Sequence, residues 1–282
     1  MIWLTPQMES ILRYLAHYKY LTVSHVVKLW ISKSKDKTRK SFLQLMKYGL
    51  ANRQIHSSVS ENAKRKGFLQ VTRNEFLRHL TKRGVDFLCN NTELEIEEIR
   101  YSKKLSKRLK NDYFHRVSTI FIHISFERWV EESGGSNPKF LVYYDSNKNS
   151  TKPKFEAETR LSLWGDKHFT PDVICSYLDA QGKPHVYCLE VYNGNRLGYV
   201  TKQLEKLFWI LDNTTLIEDR IGIDAVPCIL VTFDNEALME KTMSHIKESD
   251  IFQVEGIENL IHFAIDSAVW KEFTVLWILN KW

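Results

Sequence analysis

Residues 170–195 read T-P-D-V-I-C-S-Y-L-D-A-Q-G-K-P-H-V-Y-C-L-E-V-Y-N-G-N. Two apolar, alternating runs, Val173–Leu178 and 185–191, flank a short turn that ends in Gly182. This pattern predicts a β-hairpin in which the glycine supplies the left-handed position of a three-residue loop. We therefore treat this hairpin as the centre of the second half of the chain.

The register of the hairpin predicts a pair of acids. If Asp179 pairs with Lys183 across the loop, Asp172 lies directly opposite Glu190, with both carboxylates on one face of the sheet. Facing carboxylates repel each other unless a positive charge lies between them, and a divalent metal is the usual reason for such a pair. The structural alternative is that Asp172 caps the strand and Glu190 pairs with a lysine. Glu190 interrupts an apolar strand, where an unpaired carboxylate is costly, and this favours the metal.

A helix is predicted to begin near Arg196, and it carries Lys202 and Lys206 on one side at a spacing of four residues. The P-D, the hairpin, the glutamate and this lysine-bearing helix resemble the PD-(D/E)xK restriction-endonuclease-like nucleases. More narrowly, P-D-V-I, Y-C-L-E-V-Y-N-G-N and the following lysines resemble the plasmid replication–relaxation family and the MobC-type mobilisation relaxases. The sequence departs from that family's usual E-x-D-x-G-T or E-x-E run, because Tyr192 stands at the position of the second acid.

The resemblance implies metal-dependent nicking of double-stranded DNA near an origin of transfer or replication, together with other relaxosome or replication proteins. The expected cofactor is Mg²⁺ or Mn²⁺, bound by Asp172 and Glu190 and polarising the scissile phosphate. Nucleases of this fold often use an upstream glutamate as a third acid, which here could be Glu158 or Glu156, on the same strand face, or Glu127 on an earlier helix. The candidate catalytic residues are Asp172, Glu190, Tyr192, Lys202 and Lys206, and the candidate metal ligands are Asp172, Glu190 and Glu158.

These residues are compatible with three hypotheses about the function of the nuclease-like domain. The first is an active endonuclease in which Lys202 or Lys206 stabilises developing charge. The second is a degraded nuclease fold that serves as a DNA-binding regulator or relaxosome accessory factor, because Tyr192 replaces an acid. The third gives Tyr192 the role of a nucleophile that forms a covalent phosphotyrosine bond with DNA.

Charge is distributed unevenly along the 282 residues. Residues 1–115 hold 23 Lys and Arg against 10 Asp and Glu, whereas residues 116–282 hold 17 against 24. A basic first half predicts a nucleic-acid-binding module joined to a second domain.

The four cysteines have no metal-ligand spacing, and no apolar run approaches the roughly 20 residues of a membrane span. With no signal-peptide pattern at the amino terminus, a cytoplasmic protein without a membrane span is expected.

The first half of the chain has the pattern of a winged helix-turn-helix. A helix is predicted to start at Thr5 and Pro6, a second at Thr22 with Val26, Val27, Leu29 and Trp30 facing inward, and a third at residues 35–48. A strand at 50–57, a basic tip at 58–67 and a return strand at 68–73 would form the wing. The third helix of this domain would enter the major groove.

The candidate DNA contacts are Lys35, Lys37, Arg39, Lys40 and Lys47 on that helix and Lys64, Arg65 and Lys66 at the wing tip. The L-T-P opening at residues 4–22 and the L-T-x-x-G run at 80–85 also resemble the replication–relaxation family.

The predicted organisation is a winged-helix domain at 1–91, a charged linker or helix at 92–114 and a nuclease-like domain at 115–282. The overall class is α/β, or α+β when both domains are counted. The second domain is predicted to match the α-β-β-β-α-β core of that nuclease fold. Its predicted elements are 115–132, 140–144, 156–164, the two strands of the hairpin, Leu197–Leu211 and Cys228–Phe233, which is one strand more than the core. A helix, a strand near 259–264 and an apolar final helix follow.

Overall fold

The computed structural model describes residues 2–54, 76–101, 112–146, 156–163, 167–194, 196–211, 213–248, 259–269 and 273. The fold is mixed α/β. The chain divides into two compact units, which we call the amino-terminal unit, Met1–Ile124, and the carboxy-terminal unit, Ser125–Trp282. Among the described residues, no helix is both long and apolar enough to cross a membrane.

The amino-terminal unit consists of helices and one short antiparallel ladder. Each of its first three helices begins at a side-chain cap, because Thr5, Thr22 and Ser34 accept the amide protons of Met8, His25 and Lys37. Its elements are α1 Pro6–Tyr18, α2 Val23–Lys28, α3 Lys35–Lys47, β1 Ala51–Gln54, β2 Leu77–Leu80, α4 Lys82–Asn91 and a 3-10 turn at Ile96–Glu98. Helix α5 spans Tyr113–Glu132, and its residues up to Ile124 belong to this unit.

Strands β1 and β2 pair antiparallel, with Ala51 opposite Leu80. Leu21, between α1 and α2, adds a bridge to Arg78 of β2 through two backbone hydrogen bonds of 3.0 and 2.9 Å. The predicted wing tip, with Lys64, Arg65 and Lys66, and the predicted return strand at 68–73 lie outside the described residues. So does the end of the strand predicted at 50–57.

The core of the amino-terminal unit confirms the predicted apolar stripe of α1, since Ile11, Leu12 and Leu15 are fully buried. The prediction that Trp30 faces inward is wrong, because its side chain is 75% exposed. The physical reason is that α2 ends at Lys28, so residue 30 no longer follows the periodicity of the helix.

His25 is also buried in α2, which the sequence pattern did not predict. Its Nδ1 lies 3.0 Å from the amide nitrogen of Thr22 and completes a capping box, and its Nε2 lies 3.2 Å from the Val117 carbonyl. Burial lowers the pKa of His25 to about 3, so the ring is neutral at pH 7.

The carboxy-terminal unit is built on a five-stranded sheet in the order β3-β6-β7-β8-β9. Strands β3, β6 and β7 are antiparallel, whereas β7, β8 and β9 are parallel. The elements after α5 are β3 Ser136–Val142, β4 Leu161–Ser162, β5 His168–Phe169, β6 Val173–Leu178, β7 Pro184–Tyr192, α6 Leu197–Leu211, α7 Thr215–Ile221, β8 Cys228–Phe233, α8 Glu236–Lys247, β9 Ile261–Ile265 and α9 Asp266–Val269.

Helix α6 and strand β8 have the bounds that the sequence predicted. The strand predicted at 156–164 is wrong in extent, because only Leu161–Ser162 is a strand and it pairs with β5 rather than with the large sheet. The chain turns instead, since Arg160 N donates to the Ala157 carbonyl and Ala157 makes only an isolated bridge to Ser146. Helix α7 was not predicted.

Candidate functional site

The predicted register of the hairpin is confirmed. Val173 pairs with Leu189, and Asp179 N donates to the Lys183 carbonyl at 2.9 Å across the loop. Gly182 has a φ of +79°, the left-handed conformation expected at this turn. Because the ladder starts at Val173, Asp172 lies immediately before the first residue of β6, next to β7.

Two hydrogen bonds donated by backbone amides hold Asp172 at the edge of the strand pair. Its carbonyl accepts from Tyr143 N at 3.1 Å, and its Oδ2 accepts from Val191 N at 2.8 Å. The preceding Pro171 carbonyl accepts from the buried Thr159 hydroxyl at 2.5 Å. The Asp172 carboxylate is therefore bound to the strand residue that follows Glu190, which brings the two acids together.

Glu190 is a buried acid whose pKa is strongly raised. Its side chain is 6% exposed, and Oε1 has no hydrogen-bond partner among the described residues. Burial, and then repulsion by Asp172, raises the pKa of Glu190 well above its usual value. The charge of Lys206 and the hydroxyl of Tyr192 lower this pKa but do not offset the burial. A cation beside Glu190 would favour the charged form of its carboxyl group, which burial disfavours.

Helix α6 places three polar side chains at the spacing of one helix face: Tyr199, Gln203 and Lys206. Lys206 Nζ donates to Gln203 Oε1 at 3.4 Å, and its charge acts on Glu190. Burial raises the pKa of Tyr199, and the charges of Glu190 and Asp172 raise it further, whereas the Gln203 side chain lowers it. Both predicted lysines are exposed, and Lys206 is the one whose charge lowers the pKa of Glu190.

Tyr199 and Gln203 are site residues that sequence reasoning missed. The available signal was their position on the same side of the predicted helix as Lys206. That signal is weak, because every amphipathic helix has polar residues at such a spacing.

The Tyr192 side chain points into the core. It is 1% exposed, and its ring packs 5.5 Å from that of Phe233, measured between ring centroids. Burial raises the pKa of the Tyr192 phenol well above its usual value, and the nearby acids raise it further. An attack of this hydroxyl on a DNA phosphate would therefore require the ring to leave the core.

The three candidates for a third acid have different surroundings. Glu156 Oε1 lies 3.8 Å from Arg220 Nη2, which gives it an ion-pair partner on α7. Glu158 is half-buried and its amide donates to the Asp145 carbonyl at 2.9 Å, while Glu127 is half-buried on α5. In the described part of the chain, Glu158 does not form a set with Asp172 and Glu190 in which all ligand atoms lie within 4.8 Å of one another. A role for Glu158 as a third ligand would thus need its side chain to move.

The predicted recognition helix, α3, is anchored by Phe42 and Leu45, which are fully buried. Its outward side carries most of the predicted DNA contacts together with Leu43, which is 57% exposed. Arg39 Nη1 lies 2.6 Å from Asp36 Oδ1, so this predicted contact is engaged in an ion pair within the helix. The exposed lysines of α3 are Lys35, Lys37, Lys40 and Lys47.

Two arginines that the sequence did not single out face each other across the β1–β2 ladder. Arg53 is exposed and its guanidinium lies 4.9 Å from the Phe76 ring centroid. Arg78 is buried, with its guanidinium 4.3 Å from the Phe42 ring centroid. Arg53 therefore adds a positive charge at the β1–β2 ladder, and Arg78 connects this ladder with α3.

No protein-family model, curated protein or solved structure matches the chain in comparisons with each of the three.

Proposed function

We propose that the chain is a DNA-binding protein whose carboxy-terminal unit is a metal-dependent DNA endonuclease, acting as a nickase or relaxase in the mobilisation or replication of a plasmid or another mobile element. The observation that carries this proposal is the buried Glu190 beside Asp172, whose Oε1 has no hydrogen-bond partner among the described residues. The role in mobile elements rests on the resemblance to the replication–relaxation family and the MobC-type relaxases.

The order of elements supports the nuclease fold. Helix α5, the antiparallel strands β3, β6 and β7, helix α6 and the parallel strand β8 have the order of the restriction-endonuclease-like core. Strands β4 and β5 are inserted before β6, and helix α7 is inserted before β8. The acids lie at the start of β6 and near the end of β7, and the lysine is supplied by the helix that follows.

The amino-terminal unit supports a winged helix-turn-helix in the same way. Three helices precede an antiparallel pair of strands, and the segment between α1 and α2 bridges to the second of these strands at Leu21. In such a domain α3 would lie in the major groove with its lysines near the phosphates, and Arg53 would lie beside the duplex.

The residues at the acid pair fit a divalent cation. Glu190 Oε1 is a buried oxygen without a hydrogen-bond partner among the described residues, and carboxylate oxygens are the donors that Mg²⁺ and Mn²⁺ prefer. Asp172 and Glu190 would hold the ion, which would supply Lewis-acid chemistry to a phosphodiester.

The side chains of the chain itself would contribute three effects. The Val191 amide holds one oxygen of Asp172, so this carboxylate keeps its orientation without substrate. The apolar surroundings of Glu190 exclude water and strengthen electrostatic interactions at the site. Lys206, held by Gln203, would stabilise the negative charge that develops on the phosphate during cleavage.

The alternative function keeps the fold and removes the catalysis. Tyr192 stands at the position of an acid or lysine in the family's motif, and its buried ring fills that position with core packing. The carboxy-terminal unit would then serve as a DNA-binding regulator or relaxosome accessory factor.

The test is nicking of a supercoiled plasmid that carries the protein's own element, with Mg²⁺ or Mn²⁺. We expect the wild type to relax the plasmid and Glu190→Ala and Glu190→Gln to lose this activity. Glu205→Gln is the matched control, because it removes an exposed acid from α6. Nicking that persists in the Glu190 variants contradicts the assignment of the site. Tight binding without nicking in the wild type supports the regulator.

A further inference from the structure

Trp30 has a backbone conformation that a tryptophan rarely adopts. Helix α2 ends at Lys28 with Leu29 as its cap, and Trp30 follows with a φ of +56°. The Trp30 amide donates to the Val27 carbonyl at 3.0 Å, which closes the helix end. Glycine is the usual residue at such a position because it has no Cβ, whereas a bulky side chain there is a genuine outlier.

Burial does not explain why a large side chain occupies this strained position. The Trp30 side chain is 75% exposed, so the indole contributes little to the core of the amino-terminal unit. A single exposed apolar residue is ordinary, but an exposed indole in a backbone conformation that bulky residues disfavour marks a candidate contact site.

The sequence that follows Trp30 is cationic. Lys33, in the turn, and Lys35 and Lys37, in the first turns of α3, are all exposed. The one acid among these positions, Asp36, is engaged by Arg39. An exposed aromatic side chain close in sequence to several exposed lysines is complementary to a polyanion that also has apolar surface, and nucleic acid has both.

We propose that Trp30 is a DNA contact, with its indole ring packed on the sugar–phosphate backbone of duplex DNA beside the groove that α3 occupies. The indole N–H would donate to a phosphate oxygen, and the ring would cover the deoxyribose. This inference rests on the proposed DNA binding of the amino-terminal unit and does not depend on nuclease activity.

The test uses two variants that remove the indole and relieve the backbone. Trp30→Gly and Trp30→Asn are both suited to a positive φ, and Trp3→Gly is the matched control because Trp3 is 78% exposed at an ordinary position. We expect both Trp30 variants to raise the melting temperature by a few degrees, on the order of 4 °C, because strain is removed. We expect their affinity for DNA to fall about tenfold at fixed salt, within the range for loss of one aromatic contact.

The probe is a fluorescein-labelled, mixed-sequence duplex of about three helical turns, titrated at several salt concentrations. The salt slope of Trp30→Gly should equal that of the wild type, because the indole carries no charge. The slope of Lys40→Ala should fall by about 0.9, because one phosphate contact is lost. A neutral contact and a charged contact are thus distinguished in one experiment.

The outcomes separate the two proposals. If the wild type binds the duplex and the Trp30 variants bind equally well, the Trp30 inference is overturned while the DNA-binding proposal stands. If melting temperature and affinity fall together, Trp30 is structural and the inference is also overturned. If the wild type does not bind duplex DNA even at low salt, both proposals fail.

Discussion

Replacement of Glu190 by glutamine should change how the stability of the chain depends on pH. Between the usual value of 4.5 and the raised pKa of Glu190, the folded chain holds a proton that the unfolded chain has released. The free energy of unfolding therefore falls as the pH rises through this window, because the folded state binds more protons there. Glutamine has no proton to release, so this contribution disappears in Glu190→Gln.

The magnitude follows from a single proton. The contribution of Glu190 to the slope is at most about 1.4 kcal/mol per pH unit within the window. The charged groups that act on it are Asp172, which raises its pKa, and Lys206, which lowers it, with Tyr192 beside it on β7. The substitution leaves Asp172 and Lys206 in place, so the difference between the two proteins reports the titration of Glu190 together with its coupling to Asp172.

The measurement is urea denaturation of the full chain between about pH 5 and pH 8 in EDTA, repeated with Mn²⁺. In EDTA we expect Glu190→Gln to gain stability over the wild type as the pH rises. With Mn²⁺ the wild type alone should be stabilised, and more so at the higher pH, because a ligand must be deprotonated to bind metal. Parallel curves for the two proteins in EDTA would refute the reasoning about the buried carboxyl, and equal stabilisation of both by Mn²⁺ would refute the assignment of Glu190 as a ligand.

Two further predictions concern the other candidate catalytic residues. Lys206→Met should lower the rate of plasmid nicking about 100-fold, as expected for loss of a group that stabilises transition-state charge. The nicking rate of Lys202→Met should stay within about threefold of the wild-type rate. Equal losses of rate in single-turnover assays would contradict the choice of Lys206 over Lys202. Tyr192→Phe should preserve nicking, because phenylalanine keeps the ring in the core, and the wild type should form no denaturation-resistant protein–DNA adduct on a gel; an adduct that Tyr192→Phe abolishes would establish the covalent hypothesis instead.

The hairpin and the helix after it were predictable because local rules determine them. Alternation, a glycine at the turn and the two-residue period of a strand together fix which residues face each other, so the pairing of the strands followed from the sequence. Helix α6 has a strong apolar face with Leu204 and Leu207 buried, so its bounds followed from periodicity.

The failures arise where tertiary structure overrides local pattern. The apolar run that ends in Trp30 predicts an inward side chain only while the helix continues, and α2 is six residues long. The alternation at 156–164 predicts a strand, but the segment turns at Ala157, and its short strand pairs locally with β5. Nothing in the local sequence distinguishes Lys206 from Lys202, because that choice depends on where α6 lies relative to β7.

The charge balance of the site connects the stability of the fold with the proposed chemistry. A sheet that served only as structure would be more stable with an apolar residue at Glu190, since a buried carboxyl beside a second acid is destabilising. Lys206 compensates this pair only in part, because the pKa of Glu190 stays raised in its presence. The remaining negative potential is what would attract a divalent cation, so the instability of the pair without metal and its proposed affinity for metal have the same physical origin. Substitutions that stabilise the metal-free chain at this position should therefore weaken metal binding, and the Glu190→Gln comparison measures both effects on one protein.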